Sequence, residues 1–106
     1  MILRIYQLDI ETAHGLIFED WSRISNIFDF NRYHQVYEDV NFRHINNLTG
    51  ESYNESISDL LEYIFSLFNI ASKPESYVGH SLSISDIVEL DGVRYYVDGI
   101  GFKKIS

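Results

Sequence analysis

The stretch GHSLSISDIVELDGVRYYVDGIGF, residues 79–102, decides the fold of this chain. At its centre, Asp91-Gly92 is the dipeptide that a two-residue type I′ turn prefers. Apolar and β-branched residues stand on both sides of this dipeptide, as in two antiparallel strands. Gly99 or Gly101 then turns the chain into a last strand. The stretch therefore predicts a β-hairpin that is extended by one more strand.

The first eight residues of the same stretch include a histidine, three serines and an aspartate, which are the residue types of a nucleophilic active site. Catalysis needs these side chains to converge. However, adjacent side chains of an extended chain point to opposite faces, and His80 and Ser83 would lie roughly 10 Å apart along it. The sequence also lacks the G-x-S-x-G elbow of the hydrolases. An enzyme that uses His80, Ser81 and Asp86 is therefore the less favoured alternative.

Hydrogen bonding to the backbone explains these polar residues better, because serine and aspartate satisfy backbone donors where a chain enters a sheet. Asp86, at the mouth of the hairpin, is a natural residue for an Asx-type turn. We therefore expect a structural motif rather than a catalytic site. Its members are Gly79, His80, Ser81, Ser83, Ser85, Asp86, Asp91, Gly92, Asp98 and Gly101.

A long amphipathic helix is the clearest element outside the hairpin. Six apolar residues follow the spacing of one helical stripe: Ile57, Leu60, Leu61, Ile64, Phe65 and Phe68. Ser56 can cap the start of this helix, with Asp59 three residues later. Lys73-Pro74 ends the region, because a residue before proline avoids the helical conformation.

Three further segments complete the predicted architecture. Residues 2–8 have apolar side chains on both faces, which favours a strand covered on both sides. Residues 19–28 show helical spacing and predict a short helix, and residues 32–40 suit a strand. We expect one domain, residues 1–106, of the α+β class: a small antiparallel β-sheet with one or two helices packed on one side.

Sixteen acidic and eight basic residues give the chain a net charge of −8. Direct binding to nucleic acid is therefore disfavoured, because its affinity depends on cations that replace condensed counterions. A basic protein partner is favoured, since the negative field would steer it towards the chain. Tyrosines in excess of what a small core needs support a protein-binding surface as well.

Acidic side chains are the candidate partner-binding residues. Glu55, Asp59 and Glu62 fall on one face of the long helix, opposite its apolar stripe. Two acidic pairs, Glu19-Asp20 and Glu38-Asp39, would add to this face if they lay on the same side. Three carboxylates over roughly 10 Å of helix are sparse beside the six or so phosphates of the same length of duplex. A solvated helix face is the alternative interpretation of the helix alone.

No cofactor or metal site is expected. The chain has no cysteine, which excludes a disulfide framework, a thiolate zinc site and a cysteine nucleophile. Its histidines, His14, His34, His44 and His80, show no H-E-x-x-H pairing. We find no signal peptide and no apolar run of the length of a membrane span, so a cytoplasmic protein without membrane contact is expected.

The chain resembles the YodL-like domain of proteins from bacterial conjugative elements and related mobile DNA. The resemblance begins with RIYQL at residues 4–8, continues through residues 33–37 and LEYIFSLFN at residues 61–69, and includes Pro74. It is strongest in GHSLSISDIV, residues 79–88, and YYVDGIGF, residues 95–102. The spacer NFRHINNLTGESYNES is longer and more polar than the usual link, and Lys73 stands where a histidine often precedes the proline.

The resemblance implies an origin rather than a reaction. Small acidic proteins of mobile elements often act against host defence, and some inhibit nucleases that are rich in basic grooves. We therefore expect a non-enzymatic counter-defence inhibitor that binds the basic nucleic-acid-binding surface of a host nuclease, with a type II CRISPR effector as the first target class. The alternative is a regulatory interaction module of a conjugative element with an element-encoded partner.

Overall fold

The computed structural model describes residues 1–9, 16–42, 56–69 and 74–106. Within these ranges the strands form one five-stranded antiparallel sheet in the order β2-β1-β3-β4-β5. The strands are β1 (Leu3–Leu8), β2 (Tyr33–Asp39), β3 (Ile87–Leu90), β4 (Val93–Val97) and β5 (Phe102–Lys104). The α-helices are α1 (Trp21–Ile24) and α2 (Ile57–Phe68), and a short 3-10 helix, Phe30–Arg32, leads into β2. The predicted α+β class is confirmed.

The hairpin predicted from Asp91-Gly92 is present and joins β3 to β4. Asp91 and Gly92 have φ values of 49° and 86°. Positive φ at both central residues is the requirement of a type I′ turn, and it matches the right-handed twist of the two strands. A second turn follows β4, where Gly101 has a φ of 73° and Asp98 N donates to Gly101 O at 3.0 Å. This turn leads into β5.

β1 is covered on both faces, as its apolar pattern predicts. Leu3 and Ile5 are fully buried in the cluster beneath α2, whereas Tyr6 packs in a second cluster on the opposite face. The pairing with β2 shifts by one residue between Ile5 and Tyr6, which leaves Val36 as the extra residue of a β-bulge. Val36 O accepts a hydrogen bond from Val78 N, so the segment before Gly79 lies along this edge of the sheet.

α2 forms as its apolar stripe predicts and packs on one face of the sheet. Ser56 Oγ accepts from Asp59 N at 3.2 Å, which confirms the predicted cap. Four stripe residues are buried, namely Leu60, Leu61, Ile64 and Phe68. They join a core that also includes Leu3, Ile5, Leu82, Val88, Leu90 and Val97. This core fixes α2 across the sheet.

α1 is shorter than the helix predicted for residues 19–28 and lies against the opposite face of the sheet. Only one turn, Trp21–Ile24, is helical, and Ile27 N then donates to Ile24 O in a tighter turn. This turn returns the ring of Phe28 to that of Trp21, with the ring centroids 5.1 Å apart. Phe28 therefore packs from outside the helix, and Ile27, the other apolar residue that would have extended it, is exposed.

Among the described helices, none combines the length and the apolar character that crossing a membrane requires.

Candidate functional site

Gln7 of β1 organises the segment that enters the sheet at Gly79. Its amide is buried, and Oε1 accepts from His80 N at 3.1 Å. Nε2 lies 2.8 Å from His80 O and 2.9 Å from Asp86 Oδ2, which accounts for both amide protons. A Cβ on residue 79 would lie 2.0 Å from Gln7 Oε1, so glycine is needed for this close approach. Gly79 and His80 of the motif therefore pack against Gln7, and His80 is hydrogen-bonded to it.

Asp86 is the second organising residue and has no exposed surface. Its Oδ2 accepts from Ser83 N at 2.9 Å, in addition to the amide of Gln7. Burial raises the pKa of Asp86 to about 8, because removal from water disfavours the carboxylate, and these two hydrogen bonds lower it only in part. Asp86 is therefore mainly protonated at neutral pH.

The ring of His80 faces Asp86 and not a serine. Its Nδ1 lies 2.8 Å from Ser81 O, a carbonyl that can only accept, so Nδ1 carries the proton. Nε2 faces Asp86 Oδ1, 3.9 Å away and beyond hydrogen-bond distance. Within the described part of the chain, the buried atoms His80 Nε2, Asp86 Oδ1 and Ser83 Oγ have no hydrogen-bond partner. No proton path from Ser83 to His80 is therefore formed.

Ser85 has a structural role in the same segment. Its φ is 85°, its Oγ accepts from Phe18 N at 3.0 Å, and its carbonyl accepts from Tyr33 Oη at 2.6 Å. Ser85 N donates to Val97 O, which joins the segment to the end of β4. These contacts support the structural interpretation for Ser85, whereas the hydroxyl of Ser83 satisfies no backbone donor.

Asp98 connects the turn before β5 to α1. Its Oδ1 accepts from Trp21 N at 3.0 Å and from Gly99 N at 2.9 Å. Asp20, the N-cap residue of α1, makes no capping hydrogen bond with its own side chain. Asp98 therefore caps α1 in its place. Gly99 lies so close to Asp20 that a Cβ would be 2.2 Å from Asp20 Oδ1.

Three carboxylates surround this turn. Two adjoining pockets share Asp98 and Gly99; one of them also includes Glu62 of α2, and the other includes Asp20. Ile100 lies at the tip of the turn and is 96% exposed. We call Asp20, Glu62, Asp98 and Ile100 the turn surface. Asp20 and Glu62, two of the predicted acidic residues, line different pockets, which have Asp98 and Gly99 in common.

The other predicted acidic residues lie elsewhere. Glu38 and Asp39 are on β2, the edge strand opposite β5, and Glu38 Oε2 is 2.7 Å from Arg4 Nε. The Glu19 carboxylate is 3.8 Å from the Arg23 guanidinium. Asp59 is exposed on α2, three residues before Glu62. Glu55 lies outside the described residues.

Two of the four histidines lie among the described residues. His34 is exposed on β2 and His80 contacts Asp86, whereas His14 and His44 lie outside the described residues. Among the residues that the structure describes, no three histidine or acidic side chains are grouped so as to hold a metal ion.

Gln7, Ile100 and the position of Asp20 and Glu62 beside the same turn were not predicted from the sequence. An amide between apolar residues of a strand covered on both sides is a signal for Gln7, because a buried amide needs partners. A large apolar residue between two glycines is a signal for Ile100, since such a turn exposes it. The position of Asp20 and Glu62 beside the turn that contains Asp98 depends on tertiary packing and has no local signal.

A family model described as the YodL-like domain matches residues 2–106. No curated protein and no solved structure shows significant similarity to the chain. The matched range includes both the Gly79–Asp86 segment organised by Gln7 and the turn before β5. The chain therefore belongs to the family of YodL-like domains.

Proposed function

We propose that this YodL-like domain is a non-enzymatic counter-defence inhibitor encoded by a mobile element or phage. It docks on the basic nucleic-acid-binding surface of a host defence nuclease and blocks the nuclease from engaging DNA or RNA. Type II CRISPR effectors are the proposed target class. The observation that carries the proposal is the turn surface, in which Asp20, Glu62 and Asp98 flank the exposed Ile100.

The anatomy of the turn surface suits a protein interface. Such interfaces combine a central apolar residue with a polar rim. Ile100 can supply the centre, and the three carboxylates supply a rim of one sign. The net charge of −8 adds a long-range field that steers a basic partner and raises the rate of encounter.

The placement of the acidic residues narrows the set of proposed contacts. Of the predicted acidic residues, Glu62 and Asp20 belong to the rim of the turn surface, and Asp59 extends this surface along α2. Glu38 and Asp39 lie on β2, at the opposite edge of the sheet, and are therefore not part of the turn surface. Glu38 is also paired with Arg4. The surface imitates the charge of nucleic acid over a small area and depends on Ile100 for apolar contact.

The test is inhibition of DNA cleavage by purified, guide-loaded type II CRISPR effectors. We expect Glu62→Lys to raise the concentration needed for half-inhibition about tenfold or more, because like charges at an interface cost several kcal/mol. Glu75→Lys makes the same change of charge at an exposed residue next to the β2 edge and should leave inhibition unchanged. Binding should also weaken between about 0.1 M and about 1 M salt, as the Debye length falls from roughly 10 to 3 Å.

Two results would overturn the proposal. Equal inhibition by Glu62→Lys and the unchanged chain would remove the turn surface from the interface. A lack of inhibition across the type II effectors, with direct binding to a purified protein encoded on the same element, would support the regulatory interaction module instead.

A further inference from the structure

A pocket of about 230 Å³ lies beside the turn surface, between α2 and the β4–β5 turn. The side chains of Phe65, Ile84, Val97 and Phe102 supply its apolar walls. Glu62 and Asp98 line the same pocket, and among the described lining residues they are the only ionisable ones. The pocket therefore pairs an apolar interior with two acidic side chains, of which Asp98 already accepts two backbone hydrogen bonds through Oδ1.

The volume of this pocket limits what can occupy it. Small-molecule and cofactor sites usually enclose roughly 300–1,000 Å³. A pocket below that range, open at the surface, fits one long side chain better than a metabolite. The neighbouring Ile100 is 96% exposed and could make contact with the protein that presents this side chain.

The chemistry of the lining selects among side chains. Phe65 and Phe102 are in an edge-to-face arrangement with ring centroids 6.5 Å apart, and both are only partly buried. A guanidinium group stacks on aromatic faces and bonds to carboxylates through a planar fork, whereas an ammonium is a more strongly hydrated point charge. The aliphatic part of an arginine side chain would in turn cover the apolar walls.

We propose that this pocket binds an arginine side chain of the basic partner, with the guanidinium group between Glu62 and Asp98 and over the ring of Phe65 or Phe102. The proposal rests on the proposed function for the source of the arginine, but the pocket itself can be tested without any partner.

One nearby charge opposes this binding. Lys104 lies two residues beyond Phe102 on the same face of β5, roughly 7 Å along the strand. It lines a separate groove with Ser58 and Tyr95, at the start of α2. Two carboxylates in the pocket outweigh one ammonium at this distance, because the interaction of charges weakens with separation and with solvent screening.

The experiment is a titration of the full chain with N-acetyl-arginine-amide, followed by amide chemical shifts. We expect saturable shifts at Phe65, Gly99, Gly101 and Phe102, with a dissociation constant on the order of millimolar, given the small number of ligand atoms. Acetyl-leucine-amide should shift the same residues more weakly. Glu62→Gln should weaken arginine binding about two- to fivefold, the range for an exposed ion pair.

Two variants make the result specific. Phe102→Leu keeps an apolar side chain but removes a ring, so it should weaken arginine binding and leave leucine binding nearly unchanged. Glu75→Gln is the charge control and should change neither the binding of the arginine probe nor that of the leucine probe. Equal binding of the arginine and leucine probes, or no saturable shift in the pocket, would overturn the proposal. Neither result would bear on nuclease inhibition, which is measured with Glu62→Lys and the effector.

Discussion

Gln7→Leu is expected to lower the free energy of unfolding by about 3 kcal/mol, since it removes a buried hydrogen-bond network and leaves a buried donor unpaired. Leucine has a similar size, so packing changes little. Tyr77 Oη would still donate to His80 O, at 2.8 Å, and Ser83 N would still donate to Asp86. His80 N, however, would lose its acceptor, Gln7 Oε1. Urea unfolding, followed by far-UV circular dichroism, measures the difference.

Gln35→Leu is the matched control for this change. Gln35 is exposed on β2, the strand that pairs with β1, and the structure pairs it with Tyr6. An exposed substitution of this kind usually changes stability by less than about 0.5 kcal/mol. Similar decreases in the free energy of unfolding for Gln7→Leu and Gln35→Leu would contradict the organising role of Gln7.

Asp86 is expected to make the protein less stable as the pH rises from about 5 to about 8. Burial raises its pKa in the folded protein to about 8, whereas the ordinary value is 3.8. Between these values the folded chain binds one proton more than the unfolded chain. The free energy of unfolding should therefore fall by up to about 1.4 kcal/mol for each pH unit, and should level off above the folded pKa.

Asp86→Asn isolates this contribution, because an amide has the shape of the protonated carboxyl group. Its oxygen can accept from Ser83 N and Gln7 Nε2, and its NH₂ group can point at His80 Nε2. Tyr33, Tyr77 and Tyr96 also interact with Asp86, and burial raises the pKa of all three, so they stay neutral over this range. His80, whose Nε2 lies 3.9 Å from Asp86 Oδ1, is a further titratable neighbour and is present in both chains.

The measurement is urea unfolding at several pH values for three chains. The stability of Asp86→Asn relative to the unchanged chain should rise steadily from about pH 5 to about pH 8. Asp59→Asn, at an exposed residue of α2, should show no such trend. A constant difference between Asp86→Asn and the unchanged chain would show that Asp86 is ionised in the folded protein at pH 5.

Local patterns in the sequence were sufficient to predict most of the fold. The dipeptide Asp91-Gly92 predicts the hairpin because few residue pairs accept positive φ at both positions. The apolar stripe of α2 and the cap at Ser56 are similarly local. The extent of α1 was predicted wrongly: the apolar spacing continues to Phe28, but the helix ends at Ile24, where Ile27 N donates to Ile24 O in a tighter turn.

The candidate site depends on contacts between distant residues, and these have no local pattern. Asp98 caps α1 across 77 residues of sequence, and this brings Asp20 to the turn that Glu62 approaches from α2. The acidic face predicted for the helix contributes Glu62 to that surface. Glu38 shows the opposite case, because its pairing with Arg4 could not be foreseen from charge counts.

Site-specific photo-crosslinking to a guide-loaded type II CRISPR effector tests the central claim most directly. A photoreactive phenylalanine analogue in place of Ile100 would stand at the tip of the turn surface, and the same analogue in place of Val78, which is 76% exposed, would stand beside the β2 edge. We predict a crosslink from position 100 to the basic nucleic-acid-binding groove of the effector, and none from position 78. A crosslink from position 78 alone would contradict docking through the turn surface.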